Sequence, residues 1–177
     1  MTVFVTADLH FDHAGILRHC ADTRPFDSVD EMNDALVTAW NETVSRGDEV
    51  HVLGDFAFGK SPGRWFHALN GKKHLTVGNH DEQNKAVLSL PWTSVEWLRK
   101  IRSENRRAVA CHYPLETWHH PHRNVMLHGH SHGSLRRVIP RRQDVGVDVL
   151  GFAPVPFVGL VDGLLAEGFV AQDHHGG

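Results

Sequence analysis

Five short apolar runs in this chain each break off at a residue able to hold a cation: Asp8-Leu9-His10, Gly54-Asp55, Gly78-Asn79-His80-Asp81, Cys111-His112 and Gly129-His130-Ser131-His132. Nothing else in the sequence constrains the fold as strongly. The preceding runs, Val3 to Thr6, Glu49 to Leu53, His74 to Val77, Arg107 to Cys111 and Val125 to His128, are rich in β-branched and aliphatic residues and read as strands. In layered α/β architectures the carboxyl ends of strands open on one crevice, so residues distant in sequence gather there. Glycines at 54, 78 and 129 suit turns where backbone must come close to a side chain or ligand.

Between the first three strands the period becomes helical. Ser28 with Glu31 three residues on is a capping-box signature, and Met32, Ala35, Leu36, Ala39, Trp40 and Val44 follow at helical spacing toward a stop at Gly47. Pro62 opens a shorter helix through Trp65, Phe66 and Leu69 that stops at Asn70-Gly71. Strand, helix, strand, helix, strand is the crossover pattern of a sheet with parallel neighbours, which sets the class as α/β. After Asp81 the pattern weakens. Asn84 to Leu90 reads as helical, Val95 to Ile101 fits helix or strand, and the Val-, Gly- and Pro-rich run from Gln143 to Val170 reads as further strands joined by tight turns. No linker, repeat or low-complexity tract intervenes, so the expectation is one domain over residues 1–172 and a flexible tail at 173–177, where His174 and His175 lie.

Composition limits the function classes. With 177 residues, 41% hydrophobic and 22% charged, the chain can bury an ordinary core. A formal charge of -3 advertises no field for nucleic acid or anionic membrane, no run approaches a bilayer span, and MTVFVTADLH lacks the start of a signal peptide. The expectation is a cytoplasmic protein with no membrane partner. Cys20 and Cys111 are too few for a disulfide framework. The 16 histidines are several times the usual share and ask for a chemical reason.

Taken in order, D-x-H, G-D, G-N-H-D, a lone His and G-H-x-H resemble the calcineurin-like metallophosphoesterase superfamily, over Asp8 to His132. The resemblance implies a four-layer α-β-β-α sandwich of two mixed sheets and a dinuclear metal centre at one edge. Carried over by position, Asp8, His10, Asp55 and His132 would hold one ion, and Asp55, Asn79, His112 and His130 the other, with Asp55 bridging. The activity implied is hydrolysis of phosphate esters by a hydroxide between the two ions. In that scheme Asn79 contacts the phosphate, His80 gives a proton or hydrogen bond to the leaving group, and Asp81 orients the His80 ring. The residue types suit this chemistry on their own terms. A carboxylate can bridge two cations, and two divalent ions against Asp8, Asp55 and one hydroxide leave a charge near +1 that attracts phosphate. Mixed N and O donors suit two divalent transition metals, Mn first, with Fe, Zn, Co or Ni as alternatives.

The sequence departs from the protein-phosphatase branch of that superfamily, in which the second motif continues to an Asp and Arg that grip phosphate; here it continues Phe56-Ala57-Phe58. The chain is also short for a capped enzyme. Both points favour small phosphodiesters, such as cyclic nucleotides, over phosphomonoesters handled by a nucleotidase or protein phosphatase; nucleic acid is a disfavoured substrate and a non-enzymatic binding module the remaining rival. Asp12, His13 and His128 read as ordinary loop or packed residues. The run Trp118 to Arg123 reads as a loop that overhangs the metals, Arg99, Lys100, Arg102, Arg106 and Arg107 as a solvated charged face, and Asp144 and Asp148 as candidate partners for ligand imidazoles.

Overall fold

The computed structural model describes residues 1–169. The expected tail at 173–177, with His174 and His175, lies outside the described residues.

The chain enters through β1 (Val3–Thr6), passes α1 (Ile16–His19) and α2 (Val29–Thr43), and returns as β2 (Glu49–Val52). It then crosses α3 (Gly63–Ala68) to β3 (Lys72–Thr76), and after α4 (Asn79–Gln83) and α5 (Lys85–Leu88) adds β4 (Ser94–Glu96). β1 to β4 pair in parallel, as the crossover pattern requires. The second half supplies β5 (Leu98–Ser103), β6 (Arg106–Cys111), β7 (Val125–His128) and β8 (Arg142–Asp144), followed by α6 (Val147–Leu150), β9 (Val155–Pro156) and α7 (Phe157–Leu165). β5 and β6 form an antiparallel hairpin, β6, β7 and β8 run parallel, and β9 returns antiparallel to β1. The protein is therefore α/β with two mixed sheets, ordered β4-β3-β2-β1-β9 and β5-β6-β7-β8.

Ser28 caps α2 by accepting from the Glu31 amide, while the Glu31 side chain accepts from Asp27 rather than from Ser28. The helix stops at Thr43 instead of reaching Gly47, because Val44 turns extended and Asp48 takes the Ser45 and Thr2 amides to build the turn into β2. Val95 to Ile101 resolves as strand, split between the end of one sheet and the start of the other. The run after Gln143 is mostly not strand. Phe157, Val161 and Leu164 recur at helical spacing and all bury on one face, so this apolar burst is α7.

Alternation along β1 decides how the layers meet. Phe4 packs with Met32, Leu36 and Trp40 of α2, whereas Val3 and Val5 pack with Ile101, Ala108, Ala110, Val125 and Leu127 of the second sheet and with Phe157, Val161 and Leu164 of α7. Each of the larger aliphatic and phenyl side chains among them contributes roughly 1.5–3 kcal/mol on burial. With both faces of β1 covered and its register to β2 in step, the strand ends carrying Asp8 and Asp55 come out side by side.

Candidate metal centre

The strand ends converge. Asp8 and His10 follow β1, Asp55 follows β2, Asn79 and His80 open α4 after β3, His112 follows β6, and His130 and His132 follow β7. The loops are stitched by backbone bonds from Asp8 to Gly54, from His10 to Asp55 and from Gly129 to His112. Among the non-glycine residues with positive φ are Asp8, His10, Asp55, His130 and His132. Asp and His tolerate that region better than most side chains, and strain of order 1 kcal/mol at each position is characteristic of backbone bent to aim functional groups.

All seven expected ligands meet here. Donor atoms of Asp8, His10 and His132 lie within 4.8 Å of one another, and so do those of Asp8, Asp55 and His112. Asp55 Oδ2 is 3.6 Å from His10 Nε2, 3.5 Å from His112 Nε2 and 3.8 Å from His80 Nε2. Asn79 Oδ1 is 3.0 Å from both His112 Nε2 and His130 Nδ1. Asp55 thus sits between two donor sets, the geometry expected of a bridge. Burial is extreme: Asp8 and His112 are 0% exposed, His10 1% and Asp55 2%. Among the described residues, fully buried His10 Nε2 has no hydrogen-bond partner, although buried polar atoms are nearly always satisfied.

Two glycines make this approach feasible. A side chain at Gly54, whose φ is +94°, would sit 2.2 Å from His112 Nδ1, and one at Gly129 would sit 2.6 Å from Asp8 Oδ2.

A further layer of side chains fixes the rings. Leu53 carbonyl lies 2.8 Å from His112 Nδ1, which turns Nε2 toward Asp55 and Asn79. Asp148 is 2.7 Å from His132 Nδ1 and is itself held by the buried Arg24 and by Thr23. Of the two acids proposed for such a role, Asp148 fills it, while Asp144 accepts from the Gly133 and Gly146 amides and shapes the loop. Asp81 corrects the expectation that it orients His80. Its carboxylate accepts from the backbone amides of Asp55, Phe56 and Gly78, so it braces two ligand-bearing loops and is occupied there.

Burial is the largest influence on the ionisable groups at the centre of the cluster. Burial pushes Asp8 up to about 7, with His112 and His132 opposing. Burial acts the same way on Asp55, but the His112 bond, His10 and the His80 amide outweigh it and hold the carboxyl at about 2. His112 is disfavoured as a cation by burial, yet Asp55 and Asp8 raise it to about 9.

The cluster opens on a cavity of about 640 Å³ walled by His10, His13, Thr23, Phe58, His80, His130 and His132, among others. His13, expected to be an ordinary loop residue, stacks on Phe58 at 3.6 Å and touches His10. Phe58 also flanks His80 at 4.4 Å. Neither Phe58 nor Arg24 carries a motif, so only the folded chain reveals them. Asp12 is a brace, bonded to Asn33, Arg64 and Trp65, and His128 turns to the Gly129 carbonyl. The Trp118 to Arg123 loop does not overhang the cluster. Trp118 packs on the outer face of the second sheet, and His122 and Arg123 lie beside Asn105 and Arg107, where β6 begins. Because β6 and β7 are parallel, that is the end opposite His112 and His130.

Comparison with known proteins places the chain among relatives without assigning its chemistry. No family model matches it. It is 28% identical over 180 residues to an uncharacterized protein of Methanocaldococcus jannaschii, covering 96% of this chain and 94% of that one. It is 29% identical over 183 residues to the gene 66 protein of Mycobacterium phage L5, covering 82% and 86%. A crystal structure of a protein of unknown function from Aquifex aeolicus superposes with a TM-score of 0.72 at 22% identity, over 92% of this chain and 98% of that one. That likeness shows a shared fold.

Proposed function

We propose that the protein is a dinuclear metal-dependent phosphoesterase acting on phosphodiesters, built as a four-layer α-β-β-α sandwich of the calcineurin-like metallophosphoesterase type. The observation that carries this reading is the buried His10 Nε2, without a hydrogen bond among the described residues and 3.6 Å from Asp55 Oδ2, within a ring of converging N and O donors. A buried carboxylate and imidazole set this dense is costly unless cations complete it. Asp8, His10, Asp55 and His132 would hold one ion and Asp55, Asn79, His112 and His130 the other; Mn, Fe, Zn, Co or Ni all suit the donors. When bound, two such ions supply an activated water and positive charge for the phosphoryl oxygens.

The chain's own residues do the rest. His80 stands at the cavity mouth, its side chain 37% exposed and its amide anchored on Asp55 Oδ1, where it can give a proton to the departing oxygen as the P–O bond breaks. Asn79 Oδ1 lies beside His112 and His130 at 3.0 Å, and the Asn79 side chain can hold a phosphoryl oxygen through its amide. Phe58 and His13 wall the approach and limit water around the leaving group. Among the described residues no arginine lines this cavity or the adjoining one that shares Phe58 and His80, and Lys60 of the latter is the one lysine; so sparse a cationic lining favours the monoanionic diester over the dianionic monoester.

The test is hydrolysis of bis-p-nitrophenyl phosphate beside p-nitrophenyl phosphate by chelator-stripped protein refilled with Mn, wild type and Asp55→Asn. Metal-restored turnover that prefers the diester and vanishes in the variant is the expected result. Faster monoester cleavage would replace the diesterase with a phosphomonoesterase, and two bound ions with no cleavage of either ester would point to a binding module.

A further inference from the structure

The outer face of the second sheet carries cations that the metal cluster does not use. Along β5 and β6 one set of alternate side chains is engaged. Ile101, Ala108 and Ala110 enter the core, Arg99 binds Glu96 and the Leu75 carbonyl, and Arg106 pairs with Asp162 of α7. The other face presents Lys100, Arg102 and Arg107, all exposed, beside Val109, which packs with Trp118 and Met126. The register sets Arg102 directly across from Arg107. Like charges directly opposite in an antiparallel pair destabilise it. Among the described residues, Lys100, Arg102, Arg107 and Arg123 make no side-chain hydrogen bond or ion pair.

Arg107 and Arg123 continue into a cavity of about 510 Å³ completed by Asn105, His122, Arg141 and Leu165. Arg141 is fixed in its wall by donating to the carbonyls of Pro121, His122, Leu165 and Glu167. Of the acids nearby, Asp162 is taken by Arg106 and Glu167 by the Arg141 amide, while Glu104 sits in the β5–β6 turn. Aromatic rings border the patch, His119 against His120 at 3.9 Å and His122 against Phe169. Arg107 stands five residues before His112 on one strand, roughly 17 Å at about 3.3–3.4 Å per residue, so the patch is separate from the metal cluster.

We propose that this face binds the phosphodiester backbone of a single-stranded polynucleotide, whatever reaction the metal cluster performs. Guanidinium forks match phosphate oxygens, and a cationic groove edged by aromatic rings is the combination that holds single strands through backbone charge and base stacking. The cost of facing Arg102 with Arg107 is then offset when a phosphate lies between them.

The measurement is fluorescence anisotropy of labelled single-stranded RNA and DNA of about 12 nucleotides on the full chain, across a salt series. Roughly four phosphate contacts at about 0.7 each predict a slope of log affinity against log salt near −3, and the doubly reversed Arg102→Glu, Arg107→Glu protein should bind about 10-fold or more weakly with the slope roughly halved. Arg102→Glu alone should raise the unfolding midpoint by turning a like pair into an opposite one, while weakening binding. A merely solvated face would show the first effect without the second, and that outcome overturns the proposal. Lys72→Glu, on the first sheet, should bind as wild type. Displacement of the oligonucleotide by polyglutamate at equal charge would also overturn it, in favour of an acidic protein partner.

Discussion

His132 and Asp148 meet through Nδ1 and Oδ2 at 2.7 Å, and the same carboxylate is gripped by Arg24 through both oxygens. This leaves His132 Nε2 as the nitrogen free to act in the cluster, with Arg24 in turn tied to the carbonyls of Asp8 and Leu9. One buried arginine therefore couples the β1 end to the loop that carries His132. Asp148→Asn should keep the shape but lower affinity for the ion at Asp8, His10 and His132 by about 10–100-fold, since partners of ligand histidines typically matter that much. Asp148→Ala should in addition cost about 3–5 kcal/mol in denaturant unfolding, because Arg24 is left buried and unpaired. Calorimetric Mn titration that finds Asp148→Asn unchanged would reduce the contact to a structural tie.

Asp81 accepts three backbone amides from two ligand loops. Its removal strands donors that are buried with it, at about 1–3 kcal/mol each. Asp81→Ala should therefore lower stability by about 3 kcal/mol or more even in metal-free protein. If the substitution instead reduced turnover with the urea midpoint intact, Asp81 would act on His80 after all.

Gly129 lies against β1. A methyl there would meet Ala7 Cβ and Asp8 Oδ2, both at 2.6 Å. Gly129→Ala should displace the Asp8 carboxylate and weaken ion binding, with an overpacking cost of about 1–3 kcal/mol. Among the described residues Gly47 has no neighbour within 4 Å of such a methyl, so Gly47→Ala is expected to stabilise by about 0.4–1 kcal/mol and leave binding alone. Parallel Mn titrations and thermal melts of the two variants separate the effects.

Lys73 is buried, its ammonium on the Leu69 and Gly71 carbonyls and over the Phe66 ring. Burial lowers its pKa to about 8, while an unfolded lysine keeps its proton to about 10.4. Between those values the unfolded chain binds more protons, so this group's contribution to stability increases as pH rises. The stability difference between wild type and Lys73→Met, from urea unfolding at pH 7 to 10, should shift toward wild type above pH 8. A difference that stays flat would contradict the buried charge.

The cluster of candidate ligands was legible because its motifs are local: each strand and the polar residue that ends it are adjacent in sequence, and parallel register then brings Asp8, His10, Asp55, Asn79, His112, His130 and His132 to one place. Hydrophobic period likewise placed β1, β2, β3, β6, β7, α2 and α3 close to where they fold. What failed to read out lacked a local signal. Gln143 to Val170 looked like strands because short apolar bursts carry no decisive period, and only docking Phe157, Val161 and Leu164 against the second sheet selects a helix. Asp81 follows His80 in the chain yet turns to amides of another loop, a choice made by burial rather than by adjacency. Arg24, the Phe58–His13 stack and the Arg102–Arg107 pair depend on contacts between distant segments or on strand register, which sequence spacing does not encode. The α/β class, the strand ends and the candidate ligands thus belong to the sequence itself, whereas strand order and the side chains that hold those ligands in place were decided by tertiary packing, because a buried polar group must find its partner wherever the fold has brought one.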